Sequence, residues 1–342
     1  MLSSKCLLGL VFALLMSVTT SAQWVRQKVD TTASFRGLAV VNEKIVWASG
    51  TGGTVIRTID GGKTWNVITV PGAEKLDFRD VEAFDANTAY ILSIGDGDAS
   101  RIYKTTDGGK TWKLQFKNDD PKKFFDAIAC RNRSECYAVS DPVGGVFPII
   151  VTPDGGRYWE LESSEFLYAA QGEAAFAASG TCLISSHGKL FLVSGGSAAK
   201  VYKFYVAMGD YGLSPGNHGT VTPILSGTTG SGIFSIAMFD KSHGVIVGGN
   251  YEKPDEHEKN LAFTTDGGAT WTLKKGLTGY RSGVTYVDRR TIIAVGANGS
   301  DITRDGGETW TVLGKEDLNA VASKGPRATW AVGPKGMVVK LK

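Results

Sequence analysis

The sequence predicts an all-β protein, a seven-bladed β-propeller of four-stranded antiparallel blades, and three observations support this prediction. A version of the motif TxDGGxTW occurs five times, and a short apolar run of the WASG type occurs seven times. Glycine accounts for 44 of 342 residues, which indicates many tight turns. With 42% apolar and 10% aromatic residues, the chain has enough material for a core, so wholesale disorder is excluded.

The N-terminal residues have the pattern of a signal peptide. Lys5 provides a positive start, residues 7–16 are apolar, and small residues, Ser21 and Ala22, precede Gln23. We therefore expect residues 1–22 to be removed, residues 23–342 to form one propeller domain, and the product to be exported to the periplasm or secreted. The formal net charge of +3 predicts no bulk attraction to nucleic acid or to an anionic membrane.

The TxDGGxTW motif is interpreted as a turn between the third and fourth strands of a blade. Its aspartate would accept backbone N–H groups, its glycines would take positive φ, and its tryptophan would pack against the neighbouring blade. Five copies of one acid favour a structural role over catalysis. The aspartate and tryptophan of the five copies are Asp60 and Trp65, Asp107 and Trp112, Asp154 and Trp159, Asp266 and Trp271, and Asp305 and Trp310.

The second recurring run divides the chain into seven units. It is found at Trp47, Tyr90, Tyr137, Leu183, Val245, Ile293 and Trp330. Most units have the length of roughly 40 to 50 residues that four short strands and their turns require. In the second unit the strands are predicted at residues 79–84, 90–94, 101–105 and 111–116.

Two units are irregular. In the fourth, residues 201–204 read as a third strand, but the turn around Asp210 lacks the second glycine and the tryptophan, so a degenerate blade is expected. The seventh unit ends after its third strand. Residues 23–29 place Trp24 where a motif tryptophan would fall, and we expect this N-terminal strand to complete the last blade and close the ring.

Strand parity predicts which loops face a partner. The turns between strands one and two and between strands three and four share one face, so the second-to-third-strand loops lie on the other. These are residues 94–100, 141–148, 185–200 and 248–260. Their unequal lengths are typical of a binding face.

On that opposite face, the residue just before each predicted inner strand occupies an equivalent position in every blade. From blade one to blade seven it is occupied by Arg36, Arg79, Phe125, Glu173, Phe234, Arg281 and Leu318. The three arginines fall in blades six, one and two, an arc interrupted only by blade seven. We expect a basic rim that binds a partner, with Phe125 and Phe234 beside it; the alternative is three solvated arginines and two core phenylalanines.

The cysteines and the possible metal ligands are few. Cys130 and Cys136 close one predicted hairpin and are expected to form a disulfide, the alternative being two buried thiols. Cys182 is expected to be a lone buried thiol. The acidic loops follow no calcium-loop spacing and the histidines form no HExxH motif, so neither a metal nor a cofactor is predicted.

The motif resembles the Asp-box, or BNR repeat, of sialidase-type propellers, and this resemblance raises the possibility of glycoside hydrolysis. Of the FRIP-like motif that a sialidase would carry, only Phe35 and Arg36 are present. Another glycosidase needs two inward carboxylates. Asp80, Glu82 and Asp126 lie near inner-strand starts and are weak candidates, because acids at strand ends usually belong to turns or rims.

Over residues 24–342 the chain resembles the photosystem II stability/assembly factor-like propellers, a family of exported seven-bladed Asp-box proteins. The resemblance is carried by the repeated inner strand, second strand and DGGxTW turn, as in residues 235–271 and 281–310. It implies a monomeric, non-enzymatic scaffold that binds a protein partner such as a membrane-protein complex through an arginine-rich face. Arg36, Arg79 and Arg281 match that feature. The alternative is a carbohydrate-active glycoside hydrolase working at the channel mouth.

Overall fold

The computed structural model describes residues 23–162, 167–206, 213–215 and 218–342. The predicted signal peptide and the turn around Asp210 lie outside the described residues. Seven antiparallel sheets follow one another along the chain, which confirms the all-β seven-bladed prediction. In the described part of the chain, no helix is long and apolar enough to cross a membrane. The helix Gly97–Ala99 is a single 3-10 turn between two strands.

The strands are short, and each blade runs outward from the central channel. β1 is Trp24–Arg26. Blade one comprises β2 (Phe35–Val40), β3 (Val46–Gly50), β4 (Thr54–Thr58) and β5 (Asn66–Thr69). Blade two comprises β6 (Asp77–Ala83), β7 (Ala89–Ile94), β8 (Arg101–Thr105) and β9 (Lys113–Lys117). Blade three comprises β10 (Phe125–Cys130), β11 (Cys136–Ser140), β12 (Ile149–Thr152) and β13 (Glu160–Glu162).

The second half of the ring is less regular. Blade four comprises β15 (Leu183–Ser186), β16 (Lys189–Val193), β18 (Lys200–Val206) and β19 (Leu213–Pro215), with the short β20 (Thr220–Val221) also paired to β18. Two short strands, β14 (Glu173–Ala174) and β17 (Gly195–Gly196), extend the inner edge of the sheet of blade five. Blade five comprises β21 (Ser231–Met238), β22 (Gly244–Asn250), β23 (Leu261–Thr264) and β24 (Thr272–Lys274). Blade six comprises β25 (Gly283–Tyr286), β26 (Ile292–Gly296), β27 (Gly299–Thr303) and β28 (Thr311–Gly314). Blade seven comprises β29 (Ala320–Ser323), β30 (Thr329–Val332) and β31 (Val338–Leu341).

The N-terminal strand closes the ring, as the sequence predicts. β1 pairs antiparallel with β31, with Trp24 opposite Leu341, and supplies the fourth strand of blade seven. The indole of Trp24 donates a 2.9 Å hydrogen bond from Nε1 to Oγ of Ser300 in blade six. The two ends of the chain therefore share one sheet and leave no unpaired edge at β31.

Blade four differs from the prediction by one strand. Leu183, expected on the second strand, lies on the innermost strand β15, and Lys189–Val193 forms the second strand inside the stretch expected to be a loop. His187 and Gly188 both have positive φ, 51° and 79°, as a two-residue hairpin turn requires, and this turn was missed. Glu173, expected before the inner strand, lies on β14, which pairs with β17.

Each complete Asp-box is held together by the same hydrogen bonds. In blade one, Thr58 Oγ1 donates to Asp60 Oδ1 at 2.8 Å and accepts the N–H of Gly62 at 2.9 Å, while Thr64 donates to Asp60 Oδ2. The hydrogen bonds from threonine hydroxyl and backbone N–H hold the pKa of Asp60, Asp107 and Asp266 at about 2. In blade three Tyr158 replaces the second threonine.

The Asp-boxes lie on the same face as the hairpins between the first two strands. The N–H of the first box glycine donates to a hairpin carbonyl in all five box-containing blades, for example from Gly61 to Lys44 at 3.0 Å. We call this the box face and the opposite side the loop face. The two kinds of turn therefore share one face, as the sequence predicts.

The box tryptophans join each blade to the one before it. Trp65 packs edge-to-face on Trp330 of blade seven at 5.6 Å between ring centroids, and Trp112 packs on Trp47 of blade one at 6.4 Å. Trp159 lies against Phe116 of blade two. Such aromatic pairs each add about 0.5–1.5 kcal/mol beyond the area they bury.

The cysteines are arranged as the sequence suggests. Cys130 and Cys136 are joined by a disulfide across the β10–β11 hairpin, and Cys182 is a buried free thiol.

We expect Thr105→Val to destabilise the protein by about 1–3 kcal/mol, because the buried N–H of Gly109 loses the hydroxyl that accepts its hydrogen bond. The matched control is Thr106→Val, an exposed threonine next to it in the same box, with an expected change within about 0.5 kcal/mol. Urea denaturation measures both. Equal losses in the two variants would show that the box hydroxyl does not stabilise the turn.

Candidate functional site

A segment of the chain crosses the channel on the loop face. Residues 175–181, which precede β15, contact the inner-strand starts of several other blades. Ser179 Oγ donates to the carbonyl of Ser282 in blade six at 2.7 Å, and the hydroxyls of Thr181 and Ser235 in blade five are 2.6 Å apart. We call residues 175–181 the crossing segment. It occupies the region where an open channel mouth was expected.

Two of the predicted arginines bind this segment. Arg36 Nη1 donates to the carbonyl of Ala178 at 2.9 Å, and Arg79 Nη1 donates to the carbonyl of Ala177 at 3.3 Å. Gly180 takes φ +75° and lies against the Asp80 carboxylate, where a Cβ would overlap its oxygen atoms. Blades one and two thus hold the backbone of the crossing segment from one side.

A cavity of about 440 Å³ opens beside the crossing segment. The two arginines line one side of it. Four aromatic residues line the other: Phe176 and Phe234 stack at 4.1 Å with an interplanar angle of 3°, and Tyr280 and Tyr251 meet Phe234 edge-on at 4.8 and 6.2 Å. Tyr251 is 51% exposed at the opening. The volume lies in the range of pockets that hold a small ligand or part of a peptide.

The cavity carries positive charge that Asp77 and Asp317 compensate only in part. Arg79 forms an ion pair with Asp77 at 2.8 Å, whereas Arg36 has no carboxylate within ion-pair distance among the described residues. Burial lowers the pKa of Arg36, and the nearby charge of Arg79 lowers it further. An anionic or carbonyl-rich ligand would relieve this unpaired charge.

The third arginine does not belong to this rim. Arg281 is fully buried and forms an ion pair with Asp301 at 2.6 Å. Its guanidinium also donates to the carbonyl of Tyr280 and to the side chains of Asn298 and Thr278. The expectation of a basic rim of three arginines is therefore wrong for Arg281, because a carboxylate on β27 holds its side chain inside blade six.

The two phenylalanines differ in position. Phe125 is buried and packs on Phe116 at 5.3 Å, so it is a core residue. Phe234 is almost wholly buried but contributes to the aromatic wall of the cavity. Sequence reasoning missed Phe176, Tyr251 and Tyr280. The run of small residues around Phe176, where an inner strand was expected, was the available signal for the crossing segment.

The candidate carboxylates accept hydrogen bonds from backbone N–H groups or have pKa values raised by burial. Asp80 accepts the N–H groups of Val81 and Ile128, each at 2.8 Å, and burial raises its pKa to about 7. Burial also raises the pKa of Asp126, and the neighbouring Asp141 raises it further. Glu82 lines the channel below the crossing segment, and its pKa is raised to about 8 by burial and by Asp80.

Buried carboxylates beneath a covering segment do not form the open pair that a glycosidase requires. Asp126 Oδ2 has no hydrogen-bond partner among the described residues, yet Asp126 is only 2% exposed. Asp80 is covered by Gly180.

These features define an Asp-box propeller with a partly buried arginine and aromatic cavity on its loop face. The family model described as "Photosynthesis system II assembly factor YCF48" matches residues 16–200, more than half of the chain, and the protein belongs to this family. The resemblance noted from the sequence is thereby confirmed. None of the curated protein sequences matches this chain significantly.

Solved structures show the same fold. A YCF48 bound to a D1 peptide is 19% identical, with a TM-score of 0.64 and coverage of 92% of this chain and 94% of that one. YCF48 from Cyanidioschyzon merolae is 18% identical, with a TM-score of 0.63 over 93% and 98% of the two chains. The GH74 enzyme of Niastella koreensis is 15% identical, with a TM-score of 0.61 over 93% of this chain and 53% of its own. At these identities the likeness shows the fold alone.

We expect Asp80 to make stability depend on pH. Its pKa is about 7 in the folded state and about 4 in the unfolded chain, so the folded protein retains a proton between these values. The contribution of Asp80 to the free energy of unfolding should therefore fall as pH rises from about 4 to 7 and level off above that. Asp80→Asn should reduce this slope, measured by urea denaturation from pH 4 to pH 8.

The control is Asp60→Asn in the first Asp-box. The pKa of Asp60 is lowered to about 2, so its contribution is present above about pH 4 and lost only as pH falls toward 2. This variant should leave the slope between pH 5 and pH 8 unchanged. An unaltered slope in Asp80→Asn would contradict the assignment.

Proposed function

We propose that this protein is an exported, non-enzymatic binding scaffold that engages a peptide segment of a protein partner on its loop face. The single observation that carries the proposal is the cavity in which Arg36, without a carboxylate partner among the described residues, faces a wall of four aromatic rings. Charged donors and aromatic surface together suit an extended peptide that brings a carboxylate or backbone carbonyls and an apolar side chain.

The crossing segment supports a peptide as the ligand. Arg36 and Arg79 already donate to two successive backbone carbonyls of this chain, which are Ala178 and Ala177. The guanidinium groups are therefore positioned for backbone oxygen atoms. The remaining nitrogen atoms of Arg36 and the exposed edge of Tyr251 are the groups that an incoming peptide would meet.

Family membership supports a partner from photosystem II assembly. One YCF48 relative has been solved with a D1 peptide bound, and we extend that ligand class to this chain. The partner would then be a subunit of a membrane-protein complex, reached from the compartment to which residues 1–22 direct the protein.

Mass spectrometry of the mature product should find Gln23 as its first residue, and retention of residues 1–22 would contradict export.

Binding of a fluorescently labelled D1 peptide, measured by anisotropy, tests the proposal. Arg36→Ala combined with Arg79→Ala should weaken binding at least about tenfold, since a hydrogen bond to a charged donor contributes about 1.5–3 kcal/mol. Tyr251→Ala, at an exposed position outside the ion pairs, should weaken binding while leaving the fold intact.

The matched control is Arg327→Ala, whose guanidinium is 83% exposed and pairs with Glu43, away from the cavity. It should bind as the unaltered protein does. Unchanged binding in both the arginine pair and Tyr251→Ala, or equal weakening in Arg327→Ala, would overturn the loop-face assignment.

The alternative is a glycoside hydrolase at the channel mouth. The shared fold with a GH74 enzyme and the position of Glu82 on the channel wall favour testing it. Hydrolysis of sialosides or β-glucans that is abolished by Asp80→Asn or Asp126→Asn would support this alternative and exclude the scaffold. Absence of turnover across the panel, with peptide binding retained, would support the scaffold.

A further inference from the structure

The central channel forms a second cavity on the box side of the crossing segment. The C-terminal halves of the inner strands of all seven blades line a cavity of about 390 Å³ there. Ser179, Gly180 and Thr181 of the crossing segment form its floor, whereas Ala177 and Ala178 line the loop-face cavity. The crossing segment therefore separates the two cavities, and we call the one on the box side the channel cup.

The wall of the channel cup carries a carboxylate without a cationic partner. Glu82 on β6 lines the cup and forms no ion pair within the ranges that the structure describes. Burial and then the charge of Asp80 raise its pKa to about 8, and a hydrogen bond from the N–H of Cys130 offsets this only in part. Glu82 is therefore mostly protonated at neutral pH, and an ammonium group brought into the cup would favour its ionised form.

A positive charge of the chain lines the same cup. Lys324 directly follows β29, in the hairpin of blade seven. Its charge lowers the pKa of Glu82, so the two side chains interact electrostatically. Lys324 nevertheless forms no ion pair with Glu82 or with any other described residue. The two groups are thus close enough to influence each other and too far apart to pair directly.

Two hydroxyl groups in the cup are free to bind a ligand. Ser185 on β15 and Thr285 on β25 are partly exposed, and neither side chain forms a hydrogen bond with another described residue. By contrast, the hydroxyls of Thr181 and Ser323 are bonded within the protein. The cup thus presents a carboxylate, an ammonium group and two hydroxyls from blades two, seven, four and six.

We propose that the channel cup is a binding site for a small zwitterion, a free amino acid. The ammonium group of the ligand would donate to the carboxylate of Glu82, and the carboxylate of the ligand would accept from Nζ of Lys324. Ser185 and Thr285 would bind its remaining polar atoms. A ligand that carries both charges pairs both groups, whereas a simple cation is repelled by Lys324 and a simple anion by ionised Glu82. The site does not depend on the peptide site of the loop face.

Titration with glycine, γ-aminobutyrate, butyrate and n-butylammonium, followed by amide chemical shifts in the NMR spectrum, tests the requirement for two charges. At least one of the two zwitterions should shift the resonances of Ser185 and Thr285 in a saturable manner. Butyrate and butylammonium should bind at least about tenfold more weakly, since each loses one charged hydrogen bond. Equal binding of either singly charged compound, or no binding of both zwitterions, would overturn the proposal.

Glu82→Gln and Lys324→Gln test the two side chains. Each should weaken binding of the zwitterion about tenfold or more, and Glu82→Gln keeps the shape of the protonated acid, so the fold should be retained. The matched controls are Glu43→Gln and Arg327→Gln, which remove the same charges from an exposed ion pair outside the cup. Both controls should bind as the unaltered protein does. Equal weakening in the controls would contradict the assignment.

Proton release distinguishes direct contact with Glu82 from a structural role. Because the ligand favours the ionised form, binding at pH 7 should release a proton, and the enthalpy measured by calorimetry should vary with the ionisation enthalpy of the buffer. Asp80 and Lys324 are the other charged groups that act on Glu82. Glu82→Gln should remove most of the buffer dependence, and release that persists undiminished in this variant would assign the proton to Asp80 instead.

Two further measurements separate this site from the other proposals. Cellobiose or N-acetylneuraminate that shifts the same resonances at lower concentration than either zwitterion would overturn the amino-acid site and favour the hydrolase. Glu82→Gln and Lys324→Gln should leave binding of the D1 peptide unchanged, because the crossing segment separates the two cavities. Failure of the channel cup is therefore distinguishable from failure of the loop-face site.

Discussion

Closure of the ring is the constraint on which the rest of the structure depends. Blades one, two and three are each held to the preceding blade by the tryptophan of the Asp-box, and in blade seven Trp24 makes the equivalent contact with blade six. Because β1 pairs with β31 inside blade seven, the sheet that closes the ring is built from residues far apart in sequence. A chain that failed to make this contact would expose a strand edge and the apolar side of blade six.

The closed ring determines where the functional groups can meet. Arg36, Arg79, Phe234 and Tyr280 come from four different blades, and only the circular arrangement brings them to one end of the channel. The crossing segment then covers that end and binds the arginines through its carbonyls.

Much of the fold was predictable because the Asp-box repeats are local. A threonine, an aspartate and two glycines within eight residues fix one turn, and this turn sets the strand order and the face. Blade four was predicted less well because it lacks a complete box, and the turn at His187 and Gly188 was read as part of a loop. The site was predicted only in part. Arg36 and Arg79 follow from register, whereas the burial of Arg281 depends on Asp301, twenty residues away on another strand, and no local pattern reveals that pair.

Native-state hydrogen exchange of β1 and β31 tests the central claim most directly. If closure holds the whole ring, the amides of Val25 and Lys340, a hydrogen-bonded pair of the β1–β31 ladder, should exchange only through the opening that also exposes the buried strands β7 and β22, with the same dependence on urea. Exchange of β1 in a separate, low-energy opening that leaves blades one and six protected would contradict the account, since the ring would then be stable without its N-terminal strand.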